Sequence, residues 1–273
     1  MKKNSISILG SGWYGTALGK SLADEGWLVN GSTTRPDKME HLKSLGINPF
    51  LLSFEPSSSA FDPAFFDSSI LVICIPPGRA TGNQDTYLPK IRNILKAASF
   101  GSVTRIILIS STSVYGDLNT SLNEDNPPSP VTASGKALLD AETVVMQVPT
   151  TQTTIIRFGG LVGPGRDPGR FFSGKTSINN GLAPVNLIHL DDCVGITRAV
   201  IEQEVWDLRL NAVAPHHPTR ADFYTLAARK SGLPAPRFIA ELCDWKIVTS
   251  KHIPDKLNYS FKISDWNNWL IQD

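Results

Sequence analysis

The chain has 273 residues, 41% hydrophobic and 19% charged, the make-up of one to two folded domains and not of a disordered segment. Lys and Arg number 26 against 25 Asp and Glu, so no global field gathers nucleic acid or an anionic membrane, and neither is expected as a partner. Cys74, Cys193 and Cys243 are odd in number, far apart and without metal-ligand spacing; they predict free thiols in a reducing compartment and no metal centre.

The opening MKKNSISILGSGW has two lysines, but its apolar run of four or five residues is too short for a signal-peptide core. No later stretch approaches a spanning helix, so a cytoplasmic location is expected. Ile6–Leu9 reads as a strand, and Tyr14, Leu18 and Leu22 recur at helical spacing with Gly26 as the cap beyond them. Between strand and helix stands Gly10-Ser11-Gly12-Trp13-Tyr14-Gly15, a G-x-G-x-x-G. Such a turn needs a tight bend, a backbone that lets a diphosphate approach and close helix–strand packing, with the helix N-terminus facing the anion. All six residues, Gly10, Ser11, Gly12, Trp13, Tyr14 and Gly15, are the predicted dinucleotide cradle.

The next strand, Leu28–Asn30, leads into Gly31-Ser32-Thr33-Thr34-Arg35, with no carboxylate before Asp37. An NAD site usually places an acid here for the ribose 2′-OH; Thr34 and Arg35 instead suit a 2′-phosphate, which predicts NADP over NAD. A solvent-exposed loop arginine is the plain alternative. Pro56–Ser59 reads as a loop, and Ile70–Ile75 as a buried strand that ends in Pro76-Pro77-Gly78-Arg79. Pro76 and Pro77 form either a rigid wall beside the cofactor or a simple strand terminator. Leu88, Ile91, Ile94 and Leu95 mark a second helix, Arg105–Ile109 another strand, and Thr153–Arg157 one more. Strands alternating with helices predict an α/β fold, a doubly wound parallel sheet over residues 1–158, with 208–213 returning to it. From Gly159 onward glycines and prolines cluster and strand signals grow sparse, and a smaller C-terminal region to 273 that is not independent is expected there.

Arg105-Ile106-Ile107-Leu108-Ile109-Ser110-Ser111-Thr112-Ser113-Val114-Tyr115-Gly116-Asp117 resembles the SSxxVYG signature of the short-chain dehydrogenase/reductase superfamily, in its extended, epimerase/dehydratase-like branch. Thr154–Gly165 is similar to that family's R…YGPG strand and loop, and Asn186–Asp192 to its N-x-IHVDD segment, in the same order. The Trp in the glycine loop and the Pro-Pro-Gly-Arg turn are most similar to an atypical subgroup. The resemblance implies a Rossmann fold with a small C-terminal substrate-binding lobe, and that Ser111 hydrogen-bonds the reacting carbonyl or hydroxyl; a hydroxyl finishing a strand is the plain alternative.

The family's chemistry rests on a Tyr-x-x-x-Lys pair on the following helix, the cation drawing the phenol's pKa down from about 10. Here that stretch is Ser129-Pro130-Val131-Thr132-Ala133-Ser134-Gly135-Lys136-Ala137-Leu138, without a tyrosine. One register puts Thr132 and Lys136 in the two slots, the other Ser134 and Leu138. Ala137, Leu138, Ala141, Val144, Val145 and Val148 make one apolar stripe, on which Ser134 and Leu138 lie and Thr132 and Lys136 do not. The second register is favoured, and both slots are then chemically empty. Tyr115 is a candidate substitute proton donor; the other reading is a tyrosine that packs the loop after its strand.

Among smaller signals, Asp191 or Asp192 is expected to N-cap a helix over Val194–Ile201. Arg166 and Arg170 read as an anion clamp or a solvated loop. Trp245, Trp266 and Trp269 pack the C-terminal end or form a homodimer face. Together these imply an atypical NADP(H)-dependent oxidoreductase, epimerase or dehydratase of a small-molecule substrate, a polar metabolite or sugar derivative. The other reading is a non-catalytic NADP(H) sensor.

Overall fold

Residues 4–57, 59–78, 82 and 84–272 are described by the computed structural model. The first strand, β1 (Ser5–Leu9), is covered on both faces, and Ile6 and Ile8 are fully buried. Helix α1 (Trp13–Ala23) buries Tyr14, Leu18 and Leu22, the three positions its period picks out. Gly26 ends it as expected: at φ +84° it closes a Schellman turn, with Trp27 N–H on Leu22 O at 3.2 Å and its own N–H on Ala23 O at 2.9 Å.

β2 (Leu28–Thr33), α2 (Met39–Ser44) and β3 (Asn48–Leu51) follow. β3 is absent from the sequence reading; its Asn-Pro-Phe-Leu is neither an apolar run nor buried, because it is the edge of the sheet. The small hairpin β4 (Ser53–Phe54) and β5 (Ser59–Ala60) then replaces part of the loop expected over Pro56–Ser59. β6 (Ile70–Ile73) and β7 (Arg105–Ser111) flank α3 (Tyr87–Ala98). Beyond them come β8 (Thr120–Leu122), α4 (Ala133–Met146), β9 (Gln152–Phe158), β10 (Gly160–Val162), β11 (Leu187–His189) and α5 (Leu190–Glu202). The chain ends with β12 (Arg209–Ala212), α6 (Arg220–Lys230), β13 (Lys246–Val248), α7 (His252–Lys256) and α8 (Trp266–Ile271).

The central sheet has seven strands in the order β12-β9-β7-β6-β1-β2-β3, and β1 pairs in parallel with both β2 and β6. The strand expected to return near 208–213 is β12, at the other edge. This is the Rossmann arrangement, in which the order reverses beside β1 and the carboxyl ends of β1 and β6 open a crevice.

Two compact units share the chain: Met1–Val114, Pro130–Ile156 and Val205–Arg209 form one, and Tyr115–Ser129, Arg157–Glu204 and Leu210–Asp273 the other. The sequence reading divides the chain once, at 158/159. In the second unit Val162, Leu187, Phe223, Trp266 and Leu270 form a core, so Trp266, with no exposed surface, packs the C-terminal end as the first of its two readings had it. No helix among the described residues is long and apolar enough to cross a membrane.

Candidate functional site

The three glycines of the first turn are glycines for three different reasons. Gly10 sits at φ +104°, where a side chain is strained, and a Cβ there would also lie 3.1 Å from Ile75 Cγ2. At Gly15 a Cβ would stand 2.3 Å from the carbonyl oxygen of Gly10, so α1 lies this close to the end of β1 only without one. Gly12 has an ordinary φ of −83°, and a Cβ added to it would meet nothing within 4 Å. Its lack of a side chain leaves open space over the turn.

Hydrogen bonds fix that shape. Gly12 N–H donates to Gly10 O (2.7 Å), Ser11 N–H to Ser32 O (2.8 Å) and Gly10 N–H to Ser32 Oγ (2.8 Å). The N-terminus of α1 has no side-chain cap and no acidic residue in its first turn, the state in which a helix end best receives an anion. Open space over Gly12, a tied turn and an uncapped helix together fit a diphosphate.

Not every cradle residue faces that space. Ser11 is 5% exposed, and its hydroxyl has no hydrogen-bond partner among the described residues and points toward Gly31, where a Cβ would come within 2.7 Å of it. The Ser11 side chain therefore belongs to the packing beneath the turn and not to the ligand side. Tyr14 is likewise buried on the inner face of α1, whereas Trp13 is half-exposed.

At the end of β2, Thr34 and Arg35 are both exposed. The Arg35 guanidinium is held in a fork by Asp37, with Nε 3.2 Å from Oδ1 and a second bond from Nη2 to Oδ2. That bond raises the pKa of Arg35 and lowers that of Asp37. The strand before the two prolines stops at Ile73, two residues earlier than expected, and Cys74 beyond it still donates its N–H to Leu9 O at 3.0 Å. Its thiol lies 3.1 Å from Gly10 O and 3.2 Å from Leu9 O, and burial pushes it up to about 12. Pro76 is exposed and Pro77 buried; Arg79, part of the same predicted turn, lies outside the described residues.

Ser111 ends β7 half-buried, its Oγ accepting from Ser113 N–H at 3.2 Å. Behind it Ser110 donates to Glu142 Oε1 at 2.6 Å, and Glu142 is fully buried, with Arg209 Nε 4.0 Å from its other oxygen. Glu142 was missed as a buried group, though it stands four residues after Leu138 on the apolar stripe, which is the signal that finds it. α4 keeps the phase expected of it: Ser134 and Leu138 are 8% and 3% exposed, while Thr132 and Lys136 face solvent. Thr132 caps the helix through Gly135 N–H, and a Cβ at Gly135 would lie 2.4 Å from Ser113 O, so α4 begins tightly against the turn after β7.

In the second unit Tyr115 is 1% exposed. Its hydroxyl accepts from Arg157 Nη1 (2.6 Å) and lies 3.1 Å from Asn123 O and 3.2 Å from Asn211 Oδ1; the guanidinium of Arg157 sits over its ring at 5.1 Å. Burial pushes its pKa up. Of the two readings of Tyr115, these contacts are those of the packing one. Arg166 and Arg170 are exposed, and Arg170 approaches Asp167 at 3.6 Å.

A correction concerns α5. It starts at Leu190, and its N-cap is His189, whose Nδ1 accepts from Asp191 N–H at 3.2 Å. Asp192, expected as a cap, is fully buried and accepts from Tyr259 Oη (2.7 Å), Lys262 N–H (2.7 Å) and Ile263 N–H (3.1 Å). Burial lowers the pKa of His189 and of His217 below 6.5. As pH falls through about 6.5 the unfolded chain binds protons that the fold refuses, so stability drops there. Melting temperatures should fall from about pH 7.5 to about pH 5.5, and less steeply in His189→Asn, which can still cap but does not titrate; an equal slope would remove His189 as a cause.

A cleft of about 270 Å³ elsewhere in the first unit is lined by Phe61, Asn93, Lys96 and Phe100. It shares no residue with the glycine turn, and its chemistry is that of a surface fold between a hairpin and α3.

No family model matches the chain. Protein YeeZ of Escherichia coli (strain K12) is 38% identical over 271 residues, covering 97% of both chains. Among solved structures, the UDP-glucuronic acid 4-epimerase of Bacillus cereus in complex with NAD superposes with a TM-score of 0.79 at 18% identity, covering 97% of this chain and 94% of that one. A short-chain dehydrogenase/reductase superfamily protein of Agrobacterium tumefaciens with bound NAD gives 0.77 at 19% identity, covering 98% and 95%. At such identities the likeness establishes the fold.

Proposed function

The chain belongs to the family of Protein YeeZ and has the fold of the extended short-chain dehydrogenase/reductases; from that premise we propose that it binds NADP(H) and acts as an atypical oxidoreductase, epimerase or dehydratase on a polar metabolite or sugar derivative. The observation that carries the proposal is the glycine turn, with its open Gly12 and uncapped α1. Gly10, Gly12, Trp13 and Gly15 hold the diphosphate, and Thr34 and Arg35 receive the 2′-phosphate. Pro76 and Pro77 wall the site beside Gly10. A nicotinamide cofactor held there would supply hydride exchange with the substrate. Ser111 orients the reacting oxygen by a hydrogen bond from its Oγ, and the chain contributes chiefly by positioning.

A second reading is favoured by one specific observation. On the register set by helical phase, Ser134 and Leu138 fill the slots where a proton-donating tyrosine and its lysine stand in the family, and Lys136 faces solvent. A protein so built can bind NADP(H) without turnover and report the redox balance to a partner. Incubation with NADPH or NADP and a panel of carbonyls and sugar nucleotides separates the two. Turnover lost in Ser111→Ala supports the enzyme, while cofactor binding without turnover supports the sensor.

The cofactor preference has its own test. Arg35→Ala should weaken NADPH binding about tenfold or more and leave NADH binding unchanged, as measured by fluorescence titration. Equal affinities in both proteins would remove the 2′-phosphate assignment.

A further inference from the structure

We propose that Asp37 is an intramolecular competitor for the Arg35 fork and so a specificity-determining residue: by occupying the guanidinium it sets how tightly the site takes a 2′-phosphate. This rests on the reading that Arg35 receives that phosphate. A carboxylate and a phosphate approach a guanidinium in the same way, two oxygens against two parallel N–H groups. Asp37 makes such an approach, Oδ1 to Nε and Oδ2 to Nη2, so a phosphate reaching that edge must displace it.

The backbone keeps the competitor in place. Pro36 opens a short 3₁₀ turn over Pro36–Lys38, closed by Lys38 N–H on Arg35 O at 3.1 Å, and this brings position 37 back beside position 35. Arg35 itself is steadied from β2, its N–H donating to Thr33 Oγ1 at 3.1 Å. Both side chains are 62% exposed, so the pair opens readily. A phosphomonoester carries about −1.5 to −2 at neutral pH against −1 for the carboxylate, and it wins the fork. The uncharged 2′-OH of NAD(H) does not, and Asp37 then stays on Arg35. The competitor thus lowers affinity for the phosphorylated cofactor alone.

A cycle of Asp37→Asn, Arg35→Ala and the double variant, titrated with NADPH and with NADH, tests this. Asp37→Asn should bind NADPH about two- to fivefold more tightly than wild type, the range an exposed ion pair supports, with NADH unchanged. In the Arg35→Ala background the same substitution should do nothing. A weaker affinity for NADPH in Asp37→Asn, an equal change for both cofactors, or a gain that persists without Arg35 would overturn the competition. If Arg35→Ala alone leaves NADPH binding intact, the 2′-phosphate reading is what has failed. A loss there, with no gain in Asp37→Asn, defeats the competitor role and spares that reading.

Discussion

Asp192→Ala is expected to lower the midpoint of thermal unfolding by about ten degrees. Asp192 is fully buried and takes hydrogen bonds from one phenol and two backbone N–H groups of the segment around Tyr259–Ile263. Removing the carboxylate leaves three part-buried donors without their acceptor, at about 1 kcal/mol or more for each. A total of about 3 kcal/mol or more corresponds to roughly 6–12 °C in a chain of this size. Burial of the Tyr259 ring and its bond to Asp192 both hold that phenol in its protonated, donating form. Asp192→Asn keeps an oxygen acceptor and should lose about half as much. Calorimetry of the three proteins decides: an unchanged midpoint in the alanine variant would mean the segment is held by its other contacts.

The second large effect separates two glycines three residues apart. Gly15→Ala drives a methyl into the Gly10 carbonyl at 2.3 Å, a contact with backbone that no side-chain rotation relieves. It should destabilise the fold by about 1–3 kcal/mol, as overpacking does, and cofactor affinity should fall with it. At Gly12 a Cβ meets no protein atom within 4 Å and no unusual φ is needed, so Gly12→Val is accommodated. It should melt within about 2 °C of wild type, surface changes costing about 0.5 kcal/mol or less. Yet it should bind NADPH at least about tenfold more weakly, because its side chain occupies the space the diphosphate needs. Tight binding by Gly12→Val would place the ligand elsewhere.

The sequence shows these features unevenly. Local geometry is legible: the Gly26 turn, the stripe of α1 and the phase of α4 all depend on residues within a turn or two of one another. β3 is not, because an edge strand needs no apolar run and Asn48–Leu51 has none. The partners of Asp192 and Tyr115 are hidden for another reason. Asp192 meets its donors 67 to 71 residues further on, and Tyr115 meets Arg157 and Asn211 at separations of 42 and 96. Spacing within a motif carries no trace of such partners. The capping of α5 fails more narrowly, since three candidate acceptors stand side by side and only the backbone decides that His189, not either aspartate, precedes the first turn.

Glu124 binds Asn211 N–H at 2.8 Å and Lys251 N–H at 2.9 Å, and β8 pairs with β13. During synthesis, then, the stretch 115–129 leaves the ribosome with Asn211 still 87 codons beyond Glu124 and Lys251 127 beyond it. At about 5–20 residues per second it waits several seconds or longer with an unmatched strand and carboxylate. Order of translation and order of assembly are decoupled here, and a nascent chain stopped near residue 158 should be a client for chaperones and proteases.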